Sequence, residues 1–221
     1  VIHDLAILSY WSDDLDGAWQ YFTEAATLAQ ATGNYYQALS TYNARAFVQI
    51  NFGHLSKADD LLAEARHLAA TWHLQDLPIN AHNDKLLAWI RYQRNDLLDA
   101  ESALLRGIER AHQGRLWELL GYLWIQMARL RLAQGDLGNA LHACDQADAA
   151  FTPLTSSTIS PAAIPWRQAH VMACRARIQM AQDDLQAAEH STRHAESLVM
   201  TARGPATGWL CRIVLLDLAH V

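Results

Sequence analysis

Histidine, carboxylate and thiol groups are the residues through which this chain could do chemistry, and their spacing argues against it. His190 and His194 stand four apart, on one face of a helix, where two imidazoles could share a metal. No third ligand lies near them in sequence, so they read as surface histidines. Neighbouring carboxylates occur as Asp13-Asp14, Asp59-Asp60 and Asp183-Asp184. Catalytic carboxylates should converge on a pocket. These fall at turns or helix starts, where capping and helix dipoles account for them. Cys144, Cys174 and Cys211 are odd in number, widely spaced and free of any CxxC pattern, and read as buried thiols of a reducing compartment. No GxSxG elbow and no GxxxxGK[ST] loop occurs. The expectation is no catalytic residue, no metal, no cofactor and no enzyme activity.

The elements behind these residues repeat. Leu15-x-x-Ala18, Leu55-x-x-Ala58, Leu97-x-x-Ala100, Leu137-x-x-Ala140 and Leu185-x-x-Ala188 each follow a turn signal, with leucines 40, 42, 40 and 48 residues apart. The signals are Asp13-Asp14, Gly53-His54, Asn95-Asp96, Gly135-Asp136 and Asp183-Asp184. Gly and Asn tolerate the left-handed conformation that ends a helix. A following Asp can accept from the free amides of the next helix. His54 is the exception, and the leucine after each turn can plug the angle between the two helices.

Each repeat therefore predicts two helices: 2–12 with 15–31, 35–52 with 55–71, 79–93 with 97–112, 116–133 with 137–151, and 166–181 with 185–202. Pro78 suits the first turn of a helix, and Gln113-Gly114 closes the third repeat. The Thr152–Pro165 stretch, rich in Pro, Ser and Thr, reads as a linker loop and accounts for the long fourth spacing. Gly204-Pro205 opens a sixth first helix. Val1-Ile2-His3-Asp4-Leu5 already reads as helix interior, which suggests a fragment of a longer protein.

Register is the stronger signal. Twelve residues before each turn alanine stand Ala6, Ala46, Ala88, Ala128 and Ala176; seven after it stand Ala25, Ala65, Gly107, Ala147 and Ala195. Helices approach to about 8–10 Å only where facing side chains are small. Small residues at these offsets form the tetratricopeptide (TPR) pattern, here with a period longer than usual. The expected fold is all-α: a single domain over 1–221, built as a right-handed superhelix (solenoid) of TPR-like helix-turn-helix repeats, five complete and a partial sixth.

Composition agrees. Of 221 residues, 51% are hydrophobic and 18% charged, enough for a substantial core. Net charge is −6 with no Lys/Arg run, which argues against direct nucleic-acid contact. No stretch approaches the roughly 20 apolar residues of a membrane span. A cytoplasmic location is expected.

Several runs are more specific. Tyr92-Gln93-Arg94-Asn95-Asp96-Leu97-Leu98-Asp99-Ala100-Glu101 is followed by Leu104-Leu105-Arg106-Gly107-Ile108-Glu109. Met127 to Leu137, Ala140-Leu141 and Asp145-Gln146-Ala147 come next, then the Pro153–Pro165 loop and Arg177 to Leu185. This order resembles the TPR-like region of MalT-type, large ATP-binding LuxR-family transcriptional regulators, most strongly over 84–190. The resemblance implies a segment that senses an inducer and communicates with an ATPase module and a helix-turn-helix module, neither of which is in these residues.

In a TPR register the first helices line the inner, concave face. There they present Asn43 and Phe47, then His82, Lys85 and Trp89, then Tyr122 and Arg129, then His170 and Arg177. Aromatic rings mixed with cations and amides suit a partly polar ligand or a peptide. Lys85 and Asn43 stand where chaperone-binding TPR domains clamp a peptide carboxylate. Ile7, Ile125 and Ala173 occupy positions where that clamp needs polar groups, so the clamp is absent. The expected partner is a protein, a peptide or a small-molecule effector, with homodimerisation as a further option. The other reading is a general TPR adaptor with no transcriptional role. The eight tryptophans, Trp117 and Trp124 among them, read mainly as packing between helices.

Overall fold

A computed structural model describes residues 1–156 and 164–201. Ten α-helices account for most of them, joined by short turns: α1 (Ile2–Trp11), α2 (Leu15–Ala31), α3 (Tyr35–Asn51), α4 (Leu55–Thr71), α5 (Asn80–Gln93), α6 (Leu97–Gln113), α7 (Trp117–Ala133), α8 (Leu137–Phe151), α9 (Ile164–Ala181) and α10 (Leu185–Thr201). A 3-10 turn, η1 (Thr152–Ser156), follows α8. The predicted sixth first helix and Cys211 lie outside the described residues. The chain divides into two compact units, Val1–Leu116 and Trp117–Val221.

The helix pairs close as their turn residues require. Left-handed backbone falls at Asp13 (φ 65°), Gly53 (78°), Asn95 (58°), Gly135 (77°) and Asp183 (63°), inside the five pairs. The N–H after each left-handed residue returns to the carbonyl five residues earlier, as in Asp96 to Arg91 at 2.9 Å and Asp136 to Arg131 at 2.9 Å. That bond satisfies a carbonyl the helix end would otherwise leave open. Asp14, Asp96, Asp136 and Asp184 then accept from the amides of Gly17, Asp99, Asn139 and Ala187. Asn34 caps α3 in the same way through the amide of Gln37. His54 makes no cap and instead bonds Gln49 at 3.0 Å.

The small-residue register is realised at every position. All fifteen sites are buried. Within the first unit Ala6, Ala18, Ala46, Ala58 and Ala100 have no exposed surface, and within the second neither do Ala128, Ala140 and Ala147. Leucine and isoleucine fill the space beside them, with Leu39, Leu62, Ile90 and Leu104 in the first unit and Leu123, Ile125, Leu130 and Ile178 in the second.

Four expectations change. Gly114 does not take the left-handed position after α6; Arg115 does, at φ 52°. A Cβ on Gly114 would lie 2.4 Å from the Pro78 ring, so its glycine serves close approach rather than the turn. Pro78 in turn stands before α5, against Gly114, and Asn80 closes that connection by donating to the carbonyls of Leu74 and Leu77. Leu15, Leu55, Leu97 and Leu137 are half-buried after their turns, whereas Leu185, read as a plug like them, is 59% exposed. Asp59 is not a cap: it receives both Arg91, at 2.9 and 3.2 Å, and Arg94, at 2.5 Å.

Candidate functional site

The candidate residues fall on the first helix of each pair. In the first unit, His82, Lys85 and Trp89 follow the i, i+3, i+7 spacing that gives one face of α5, and Asn43 and Phe47 lie one turn apart on α3. The Phe47 ring is the hub. Tyr10 of α1 meets it at a centroid distance of 5.2 Å, and the Lys85 ammonium sits 5.8 Å from its centroid. That arrangement is a cation over an aromatic face, of modest strength at a partly exposed site. Trp89 stacks with Tyr92 at 6.2 Å. Burial, with a smaller push from Lys85, lowers His82 to about 4, so its imidazole is neutral near pH 7.

Asn43 is buried and holds position for the fold. Its carboxamide oxygen accepts from Asn83 at 3.2 Å, Asn83 also donates to the Leu62 carbonyl at 3.1 Å, and Arg66 donates to Asn83 at 3.1 Å. Beside it, Asp84 is buried with Arg106 at 3.3 Å and with Arg110. These polar groups tie α3, α4, α5 and α6 together. Sequence reading missed them, because a polar residue on a core-facing position announces its partner only once the neighbouring helix is placed.

A second polar group absent from the sequence reading is Arg45. Its guanidinium lies 4.9 Å from the Trp19 ring and 5.2 Å from the Tyr42 ring. Tyr42 donates to Glu64 at 2.9 Å and receives from Gln30 at 3.2 Å. Burial raises the Tyr42 hydroxyl, and its bond to Glu64 raises it further.

In the second unit, Tyr122, Arg129 and His170 come together. Arg129 Nη2 lies 2.8 Å from His170 Nε2. A guanidinium has donors only, so Nε2 accepts and the ring proton sits on Nδ1. Tyr122 packs against His170 at 6.0 Å and edge-on to Phe151 at 5.5 Å. Burial pushes its hydroxyl up to about 12, with Glu118 adding to the rise and Arg167 opposing it. Arg177 is half-buried two turns along α9 from His170. The structure thus brings five of the nine candidates into direct contact with one another: Phe47 with Lys85, and Tyr122 and Arg129 with His170.

The remaining chemistry-bearing groups have ordinary roles. Asp13 and Asp183 supply left-handed turns, and Asp14 and Asp184 supply caps. His190 and His194 stand 6.5 Å apart, and no group of three His, Cys, Asp or Glu that could hold a metal occurs among the described residues. Cys144 and Cys174 are buried thiols outside any disulfide, brought together across α8 and α9. Their mutual hydrogen bond and burial push the Cys144 thiol far up. No helix of the described residues is long and apolar enough to cross a membrane.

Residues 5–202 match the family described as the MalT-like TPR region. No curated protein matches the chain. Among solved structures, BtubC (BKLC) from P. vanneervenii aligns with a TM-score of 0.64 at 17% identity, covering 92% of this chain and 89% of that one. A Podosopora anserina putative kinesin light chain with nearly identical TPR-like repeats aligns with a TM-score of 0.61 at 16% identity, covering 92% and 96%. A second structure of that putative kinesin light chain, carrying a single substitution, gives 0.62 at 15%, covering 89% and 92%. At these identities the likeness establishes the fold, a helical TPR-like repeat.

Proposed function

Since the chain belongs to the family of MalT-like TPR regions, we propose that it is the sensor and interaction segment of a MalT/LuxR-type transcriptional regulator. The family match over residues 5–202 is the observation that carries this reading. In it, an effector or partner binds the segment and biases ATPase and DNA-binding modules elsewhere in the parent protein. The segment itself performs no catalysis and does not touch DNA.

The division of labour among residues supports the reading. The fifteen small positions are the same in every copy and are buried, so they cannot discriminate between ligands. Recognition belongs to the positions where copies differ, on the first helices. Phe47, Lys85 and Trp89 in the first unit and Tyr122 and Arg177 in the second are half-buried there, where an aromatic or cationic side chain retains surface for a partner. Asn43, Arg129 and His170 are buried beside them and serve as their support.

The parent coding sequence tests the proposal. The expected result is a phosphate-binding GxxxxGK[ST] motif on the amino-terminal side and a basic helix-turn-helix on the carboxy-terminal side. A parent with neither would overturn the regulator assignment and favour a general adaptor for a peptide or protein.

A further inference from the structure

Inside each unit, first helices meet the second helix before them through one face. In the first unit, Arg45 of α3 lies against the Trp19 ring of α2 at 4.9 Å. Asn83 of α5 donates to the Leu62 carbonyl of α4 and receives Arg66, each at 3.1 Å, while Arg91 and Arg94 reach Asp59 of α4. In the second unit, Arg175 of α9 spans Asp145 and Asp148 of α8 at 3.0 Å each. Counted from the register alanines Ala46, Ala88 and Ala176, these first-helix residues stand five and one before, and three and six after. At about 100° per residue they share one side of the helix, and the position two after the alanine belongs to that side. Val48, Ile90 and Ile178 hold that position, and none of them has exposed surface.

On α1 the same side is open. Its register alanine is Ala6, so Leu5 stands one before and Leu8 two after; they are 42% and 55% exposed, with Trp11 beside them at 48%. The opposite side already buries Ala6 and Tyr10. A helix with apolar residues on every side is one that packs on every side. The open face also differs in charge from its equivalents. Where α3 and α9 carry Arg45 and Arg175, α1 carries Leu5; where α5 carries Arg91, α1 carries Ser9. A helix with the acidic row of α4 or α8 would find no cation there, and its carboxylates would lose water against leucine.

We propose that Leu5, Leu8 and Trp11 dock an amphipathic helix of the parent protein, set against α1 as α2 is against α3 and α4 is against α5, and with an uncharged contact row. The four internal contacts above supply the geometry, and the leucines supply the chemistry. The docking holds in a regulator or in an adaptor, so its failure and that of the regulator assignment are separate results.

Maleimide labelling of Leu8→Cys, read by peptide mass in the 1–221 chain and in the full parent, tests it. Rates are taken relative to Ser56→Cys, at an exposed position on α4. The substituted thiol at position 8 should react at least about tenfold more slowly in the parent than in the chain. Leu5→Arg in the parent should return that rate to the chain's, because a cation then faces an uncharged row, whereas Leu5→Met should leave the protection in place. Equal rates in parent and chain would overturn the site. Protection that appears in the chain alone and grows with its concentration would assign the face to a second copy and overturn the parental occupant. Protection undisturbed by Leu5→Arg would overturn the uncharged row.

Discussion

His82 shows how a single buried titratable group makes stability depend on pH. Its folded pKa of about 4 lies below the ordinary histidine value near 6.5. Between those values the unfolded chain binds a proton that the native chain refuses, so stability falls as pH drops from about 6.5 to about 4, and the contribution is flat below. The loss is on the order of 2–3 kcal/mol. Urea unfolding at pH 7 and pH 4.5 should show it, and His82→Gln should reduce the difference. Two ion pairs give a contrast at the same scale. Asp84 is 3% exposed between Arg106 and Arg110, and Asp84→Ala should cost about 1–3 kcal/mol, because both guanidinium groups lose their shared carboxylate and half-buried Arg110 keeps only the Gln75 carbonyl. Glu189→Ala removes an exposed partner of Arg193 one helical turn away and should change stability by about 0.5 kcal/mol or less. Denaturant midpoints for the two variants check the pair.

At the scale of helices and turns, most of the architecture was legible because it rests on local rules. Left-handed residues, caps and the twelve- and seven-residue offsets all act within one helix pair, so the spacing of Gly, Asn, Asp and Ala located every predicted pair to within about two residues. What was not legible depends on contacts distant in the chain. Arg115 takes the left-handed position after α6, and Gly114 instead gives Pro78 room to approach, a contact made from thirty-six residues away. Asp59 reads as a helix-start charge until α5 brings Arg91 and Arg94 to it. The candidate face was legible as spacing, but the burial of Asn43 was not, since its acceptor role requires Asn83 forty residues on. Gly121 offers a test at this scale. A Cβ there would lie 2.2 Å from the Phe151 ring, so α7 and α8 approach closely at that point. Alanine improves helix propensity by about 1 kcal/mol, yet overpacking costs about 1–3 kcal/mol. Gly121→Ala should therefore lower the melting temperature, and Phe151→Leu in the same chain should recover part of the loss.

For the whole molecule, the account separates what repeats from what varies. The turn and the small-residue register recur five times and make a TPR-like fold; the side chains around Phe47 in the first unit and around Tyr122 in the second do not recur, and the proposed function assigns recognition to them. This division predicts that stability is sensitive to volume at register positions and insensitive at nearby positions off the register. Ala140 and Ala133 belong to the same repeat; Ala140 has no exposed surface, and Ala133 is exposed at the end of α7. The most direct measurement is the unfolding free energy of Ala140→Leu beside Ala133→Leu. The account predicts a loss of about 1–3 kcal/mol for Ala140→Leu. It predicts a change within about 0.5 kcal/mol for Ala133→Leu. Full stability of Ala140→Leu, or equal losses in the two variants, would contradict it.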